Sequence, residues 1–218
     1  METKEKIIEA ATQLFNEKGY GSVNLKGLAQ AAGISRGNLT YHFKNKEILL
    51  AAIVKNMWAK IDQEKQKTRQ FPTFENMRNQ TQLVYKFQKK YAFVFLDNNV
   101  RNHPTIKEEF KAMIEQTIED FRKMIAFGIQ LGNLKKETIP GTYYSLAFSV
   151  WMVSFYWLSQ QTTRDECMET SAEKVLWGMI LPHMTEKGIT AFKQFFGAGF
   201  YEQLGEPFDV NQHSSVHF

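Results

Sequence analysis

Between Glu17 and Glu47 the chain carries no acidic residue, yet it holds Lys18, Lys26, Arg36, Lys44 and Lys46. Inside that stretch Arg36, Asn38, Thr40 and Tyr41 set a guanidinium, an amide, a hydroxyl and a phenol close together. A guanidinium fork matches a guanine edge or a phosphate, and a planar amide matches an adenine edge. Lysine ammonium groups complement phosphates without regard to sequence. Together these side chains suit a polyanion whose bases are to be read. Other chemistry is poorly served. His103, His183, His213 and His217 have no partners at metal-ligand spacing, and Cys167 is the only cysteine. There is no glycine-rich phosphate loop and no paired-carboxylate motif, and Glu108-Glu109 and Glu119-Asp120 read as solvent-facing helix charges. No metal, no cofactor and no enzyme activity are expected.

The elements that must position these groups are legible around them. Leu28, Ala29 and Ala32 give one short helix an apolar face, and Asn24 is suited to cap its start. Gly33 follows where a helix stop favours positive φ. Ser35 is suited to N-cap a second short helix whose inner face is Leu39 and Phe43. Residues 24–43 therefore read as a helix-turn-helix, with Arg36, Gly37, Asn38, Thr40, Tyr41 and His42 on or beside the helix that enters a major groove. Lys26, His42, Lys44 and Lys46 are placed to hold the phosphate backbone, and Asn24 and Ser35, at the starts of the two helices, count among the DNA-contact candidates.

Charge partitions along the chain in the same sense. Residues 1–60 hold nine Lys or Arg against five Asp or Glu, whereas residues 61–218 hold eighteen of each. The whole excess of +4 thus lies with the helix-turn-helix. With 43% hydrophobic and 14% aromatic residues in 218, material remains for a second, larger core. A single cysteine and no basic-then-apolar opening segment point to the cytoplasm.

Read in order, residues 3–18 form an amphipathic helix on Ile7, Ala11, Leu14 and Phe15. A long helix starts near Lys46, carries Leu49, Ala52, Ile53, Met57 and Ile61 inward, and stops near Phe71-Pro72. Helices are expected over 74–96, 105–127, 142–160 and 170–187, the last kinked by Pro182, and over 189–204. Asp97 to Pro104 reads as a loop, and residues 205–218 as a loose tail. The uncharged run from Thr138 to Thr163 is long enough to span a bilayer, but Ser145, Ser149, Ser154, Gln160 and Gln161 dilute it. A helix apolar on every side must instead be covered by its own domain and by a second subunit.

Residues 3–60 resemble the DNA-binding domain of the TetR family of bacterial transcriptional regulators. The matching residues are Ile8, Ala11 through Phe15, Gly19-Tyr20, Leu28-Ala29, Ala32 to Ser35, Gly37, Leu39, Tyr41 to Phe43, Lys46-Glu47 and Leu49. Asn24 stands where the family usually has Thr or Ser. Gly27 replaces a usual polar helix residue and weakens its helix by up to about 1 kcal/mol. Thr40 replaces a frequent tyrosine that touches the DNA backbone.

The resemblance implies an all-α chain: a three-helix DNA-binding domain over 1–60, then a helical ligand-binding and dimerisation domain over 61–204. It implies a homodimer on double-stranded DNA at a near-palindromic operator, most often a repressor released by a small molecule. Phe87, Tyr91, Phe95, Phe110, Phe121, Phe148, Trp151 and Phe155 are candidates to line a cavity for an apolar or aromatic effector. Trp157, Trp177, Ile180 and Met184 are candidate dimer contacts. The alternative is an architectural DNA binder without an effector, its aromatic faces serving only as core.

Overall fold

The computed structural model describes residues 3–68, 72–161 and 171–205. Among them the chain forms twelve α-helices, one 3-10 turn and no strand, save an isolated bridge between Leu134 and Met184. No helix of the described residues is long and apolar enough to cross a membrane.

Helix α1 (Thr3–Lys18) buries Ile7, Ala11 and Phe15 against the next three helices. Helix α2 (Leu25–Ala31) starts at Asn24, whose side chain accepts from Gly27 N at 2.9 Å. It ends in a Schellman motif: Ile34 N donates to Ala29 O and Gly33 N to Gln30 O, with Gly33 at φ 65°. Ser35 then caps α3 (Arg36–His42) by accepting from Asn38 N at 3.1 Å. The long α4 (Lys46–Thr68) begins beneath Asn45, which accepts from Ile48 N. Leu49, Leu50, Ile53, Val54 and Met57 are fully buried on it.

Beyond α4 the chain departs from the periodicity in instructive ways. The expected helix over 74–96 breaks at Tyr91 into α5 (Phe74–Lys90) and α6 (Ala92–Leu96). The cause is distant in sequence: Asn16 of α1 donates to Lys90 O at 2.8 Å and accepts from Phe93 N at 3.0 Å. Its amide takes the place of helical hydrogen bonds at the break. The expected loop from Asp97 contains a further helical turn, α7 (Asn98–Arg101), capped by Asp97. Helix α8 (Pro104–Gln130) opens with proline in its first turn and stops in a second Schellman motif, Asn133 N to Gly128 O and Gly132 N to Ile129 O.

Helix α9 (Thr142–Gln161) runs through the middle of the second unit, in contact with α5, α6 and α8. Pro182 ends the next helix, α10 (Ala172–Ile180), where a kink was expected. Residues Leu181–His183 continue as a 3-10 turn, because proline offers no amide for a further helical bond. Helix α11 (Glu186–Phe196) follows, and Gly197 at φ 84° separates it from α12 (Ala198–Glu202), so the expected helix over 189–204 is two. Cys167, His213, His217 and the tail beyond Gly205 lie outside the described residues.

The loop after α8 is tied to the start of α11. Thr185 Oγ1 donates to Gly132 O, Lys187 Nζ to Leu131 O, and Thr185 N to Asn133 O. Gly188 sits so close that a Cβ there would lie 2.1 Å from Asn133 O, a backbone atom that cannot step aside. Gly188→Ala is therefore expected to cost about 3 kcal/mol and lower Tm by roughly 10 °C. A Cβ at Gly27 would meet only Asn24 Oδ1 at an ordinary 3.7 Å. Gly27→Ala is expected to gain about 0.5–1 kcal/mol, read in the same melting experiment.

Candidate nucleic-acid interface and internal cavity

Helix α3 is pinned from behind by Leu39 and Phe43, both essentially without exposure. Its free surface carries Arg36, Gly37 and Asn38, and Tyr41 is 85% exposed. Lys26 and Lys44 flank it, and with Arg36 they make no ion pair among the described residues. The result is a convex, cationic ridge with an amide and a phenol on it. Gly37 leaves the backbone bare at the start of α3, where a neighbouring surface can approach closely.

Four of the sequence candidates have other duties. Asn24 and Ser35 hold their side-chain oxygens on Gly27 N and Asn38 N as helix caps. Thr40 Oγ1 shares its proton between Arg36 O and Gly37 O, at 3.1 Å each, which leaves its lone pairs and methyl outward. Lys46, expected on the phosphate backbone, turns inward. Its ammonium donates to Tyr20 O at 2.9 Å and Val23 O at 3.0 Å, and lies 4.2 Å from the Tyr20 ring centre. Two of its three donors thus close the turn between α1 and α2 onto the start of α4. Sequence spacing had no means of showing this, since the partners are backbone atoms more than twenty residues away.

The second feature is an apolar cavity between α4, α5, α8, α9 and α10. Phe95, Phe121, Trp151 and Phe155 line it, as four of the eight aromatic candidates. Phe87 and Tyr91 instead stack on one another, ring centres 6.1 Å apart, within the core. Phe110 packs behind the wall against Trp58 and Phe155, and Phe148 faces outward at 39% exposure. Periodicity on single helices could not separate these, because the facing helix decides which side of each ring meets the void. Trp58 and Gln88 were missed: each neighbours a core position on its helix, Met57 and Phe87, and reaches the cavity from there. A second apolar cavity of about 520 Å³ adjoins it, sharing Met77, Phe121, Met124, Val150 and Ile180 as walls.

Three of the four candidate dimer contacts are covered by their own chain. Trp157, Trp177 and Met184 are buried, Trp177 edge-on to Phe74, Phe192 and Phe196. They offer no surface to a partner, and Ile180 is half-buried between the two cavities. What α9 leaves outside is a different stripe, Tyr144, Phe148, Met152 and Tyr156. Among the described residues no three His, Cys, Asp or Glu side chains converge as metal ligands.

A helix-turn-helix carried by a larger helical unit with an internal cavity is the architecture of a DNA-binding regulator. The family model described as "Bacterial regulatory proteins, tetR family" matches residues 7–53, and "Bacterial transcriptional repressor" matches residues 53–192. The chain belongs to the TetR family of transcriptional regulators, and as such is a DNA-binding protein and not an enzyme. It is 27% identical over 153 residues to an HTH-type transcriptional regulator in the lacX 3' region of Lactococcus lactis subsp. lactis, covering 66% of this chain and 78% of that one. To the HTH-type regulator AcrR of Shigella flexneri it is 40% identical over 52 residues, 24% of each chain.

Among solved structures, a TetR-family regulator from Marinobacter aquaeolei VT8 superposes with a TM-score of 0.78 at 20% identity, covering 94% of this chain and all of that one. A SmeT–triclosan complex superposes at 0.67 with 19% identity, covering 95% and 99%. At these identities the superpositions speak for the fold.

The Lys46 clamp and its tyrosine carry two tests. Burial, and then the carboxylate of Glu47, push the Tyr20 phenol from its ordinary 10.0 up to about 12. Because the unfolded chain ionises first, this stability is complete below pH 10 and is lost as pH rises through about 12. The loss is on the order of 2 kcal/mol. Tyr20→Phe is expected to flatten the decline of unfolding free energy over that window. Lys46→Met is expected to cost about 2 kcal/mol in urea unfolding, and the exposed Lys44→Met under about 0.5 kcal/mol.

Proposed function

We propose that the chain is a homodimeric, sequence-specific transcriptional regulator, a repressor released when a small apolar or aromatic effector enters the sensing body. The observation that carries this reading is the continuity of α4. Met57 is fully buried in the core that supports α3, and the next residue, Trp58, lines the cavity with Ile61 one turn further on. A ligand that favours one placement of α4 shifts the placement of α3, and so biases the equilibrium between DNA-competent and incompetent states. A structural neighbour described as a triclosan complex supports an aromatic effector class.

In this reading residues 1–60 read DNA and residues 61–204 sense and dimerise. Arg36 reads a guanine edge and Asn38 an adenine edge, with Tyr41 and His42 beside them. Lys26 and Lys44 hold phosphates. A second copy covers the exposed stripe of Tyr144, Phe148 and Met152 on α9. The two-fold axis then sets two copies of α3 on the halves of a near-palindromic operator in the cytoplasm.

Selection of bound fragments from random DNA, followed by salt titration, tests this. Lys44→Ala is expected to weaken binding to every sequence alike and reduce the salt slope by about one. Arg36→Ala is expected to cost about 1–3 kcal/mol on the selected site and relax preference at particular base pairs. If the wild-type chain binds all fragments equally, the protein is an architectural DNA binder and the regulatory reading is overturned.

A further inference from the structure

The cavity between α5, α8 and α9 is apolar but not featureless. Besides the ion-paired Glu173 Oε1, three buried polar atoms of residues that line it have no hydrogen-bond partner among the described residues: Trp58 Nε1, Trp151 Nε1 and Gln88 Oε1. The orientation of Gln88 is not arbitrary. Its Nε2 donates to Ser154 O at 2.7 Å and Phe155 O at 3.2 Å. Turning the amide over would set its oxygen against two carbonyl oxygens, so Oε1 remains the free end. Gln88 is 1% exposed and Trp151 9%, so bulk water does not serve these atoms. A buried polar atom without a partner is destabilising, and a complementary ligand removes that penalty.

Other polar groups around the cavity have partners. Thr81 Oγ1 donates to Met77 O and Thr117 Oγ1 to Met113 Sδ, each on its own helix. The Tyr85 hydroxyl donates to Gln161. The charged groups of the wall are engaged as well. Glu173 Oε1 lies 2.9 Å from Arg78 Nε, an ion pair whose angle misses hydrogen-bond geometry, and Lys65 and Asp120 have partners, Asp120 accepting from Gln116. Two indole donors and one amide acceptor are the buried polar groups of wall residues that remain unpartnered, with no buried free charge among them to neutralise an ionic ligand.

We infer that the cavity selects an uncharged, largely aromatic or alicyclic molecule that bears both a carbonyl-type acceptor and a hydroxyl or amide donor. The acceptor meets the indole N–H of Trp58 or Trp151, and the donor meets Gln88 Oε1. This rests on the reading of the cavity as the effector site, and adds to it the polar pattern that an effector must carry. Trp58 lies on α4, so a hydrogen bond to its indole attaches the ligand directly to the helix that supports α3.

The chain supplies its own reporter, because all four of its tryptophans line this cavity. The full-length protein would be titrated with one set of probes on a common diphenyl skeleton, followed by tryptophan fluorescence and by Tm. The set is diphenylmethane, benzophenone, para-hydroxymethylbenzophenone, the anion para-benzoylbenzoate and the cation para-aminomethylbenzophenone. Benzophenone is expected to bind about tenfold tighter than diphenylmethane, and the alcohol several-fold tighter again. Both ions are expected to bind at least about tenfold more weakly than the alcohol. In Gln88→Met the advantage of the alcohol over benzophenone should vanish while that of benzophenone over diphenylmethane persists. Equal affinity of the wild-type chain for diphenylmethane and the alcohol overturns the polar pattern but leaves the cavity as a ligand site. Tighter binding of either ion overturns the neutral class. If none of the five moves fluorescence or Tm up to its solubility limit, the effector-site reading falls and this inference with it.

Discussion

One helix is packed into the DNA-reading head along its first half and against the cavity of the larger body along its second, and the rest of the molecule is arranged around that fact. The first half of α4 is sealed into the head by Leu49, Leu50, Ile53 and Val54, while Trp58, Ile61 and Lys65 further along it face the cavity of the body. Fully buried aliphatic side chains interlock at near-crystalline density and do not slide past their neighbours freely. Any shift of α4 demanded at one end must therefore be accommodated at the other. Coupling between a ligand and the groove-facing surface needs no more elaborate route than this.

The orientation of α3 depends in turn on small polar devices around that helix. Gly33 lets α2 turn sharply into α3, and Ser35 and Asn24 satisfy the first amides of each. The ammonium of Lys46 gathers the carbonyls of Tyr20 and Val23, which fixes the turn between α1 and α2 at the point where α4 starts. A cation that sequence alone assigns to DNA is thus part of the frame that presents the exposed cations. With Lys46 held inside, the positive charge around α3 that makes no ion pair among the described residues sits on Lys26, Arg36 and Lys44.

What was legible in the sequence was local. The caps at Asn24 and Ser35 and the stop at Gly33 each act within one turn of the residue that signals them. The all-helical class, the helix-turn-helix and the family could all be read from such signals. The break at Tyr91 could not, because Asn16 makes it from another helix. The need for glycine at 188 depends on Asn133 O, and the place of Phe87 in the core and Phe95 on the cavity depends on which helices face them. For Trp157, Trp177 and Met184 an apolar pattern was visible, but a core and an interface look alike in one chain read alone. Pro182 shows the same limit in milder form: its effect on the helix was evident, while the hydrogen bond from Lys135 Nζ to Pro182 O, which ties the 3-10 turn to the loop after α8, was not.

The amide of Asn16, astride the break between α5 and α6, joins the head to the body at a second point. Phe15 against Phe93, at 5.2 Å, and Tyr20 against His103, at 6.3 Å, lie along the same seam. One apolar core accordingly runs from Ile7 through Phe155 without interruption. The small head, basic and rich in short helices, is thus not a self-sufficient module hung on a linker. Cut free after α4, it would lose the contact of Phe15 with Phe93 and part of the packing that orders it. A core shared in this way couples the opening of the head to that of the body, along the seam on α1 as well as through the helix that crosses it.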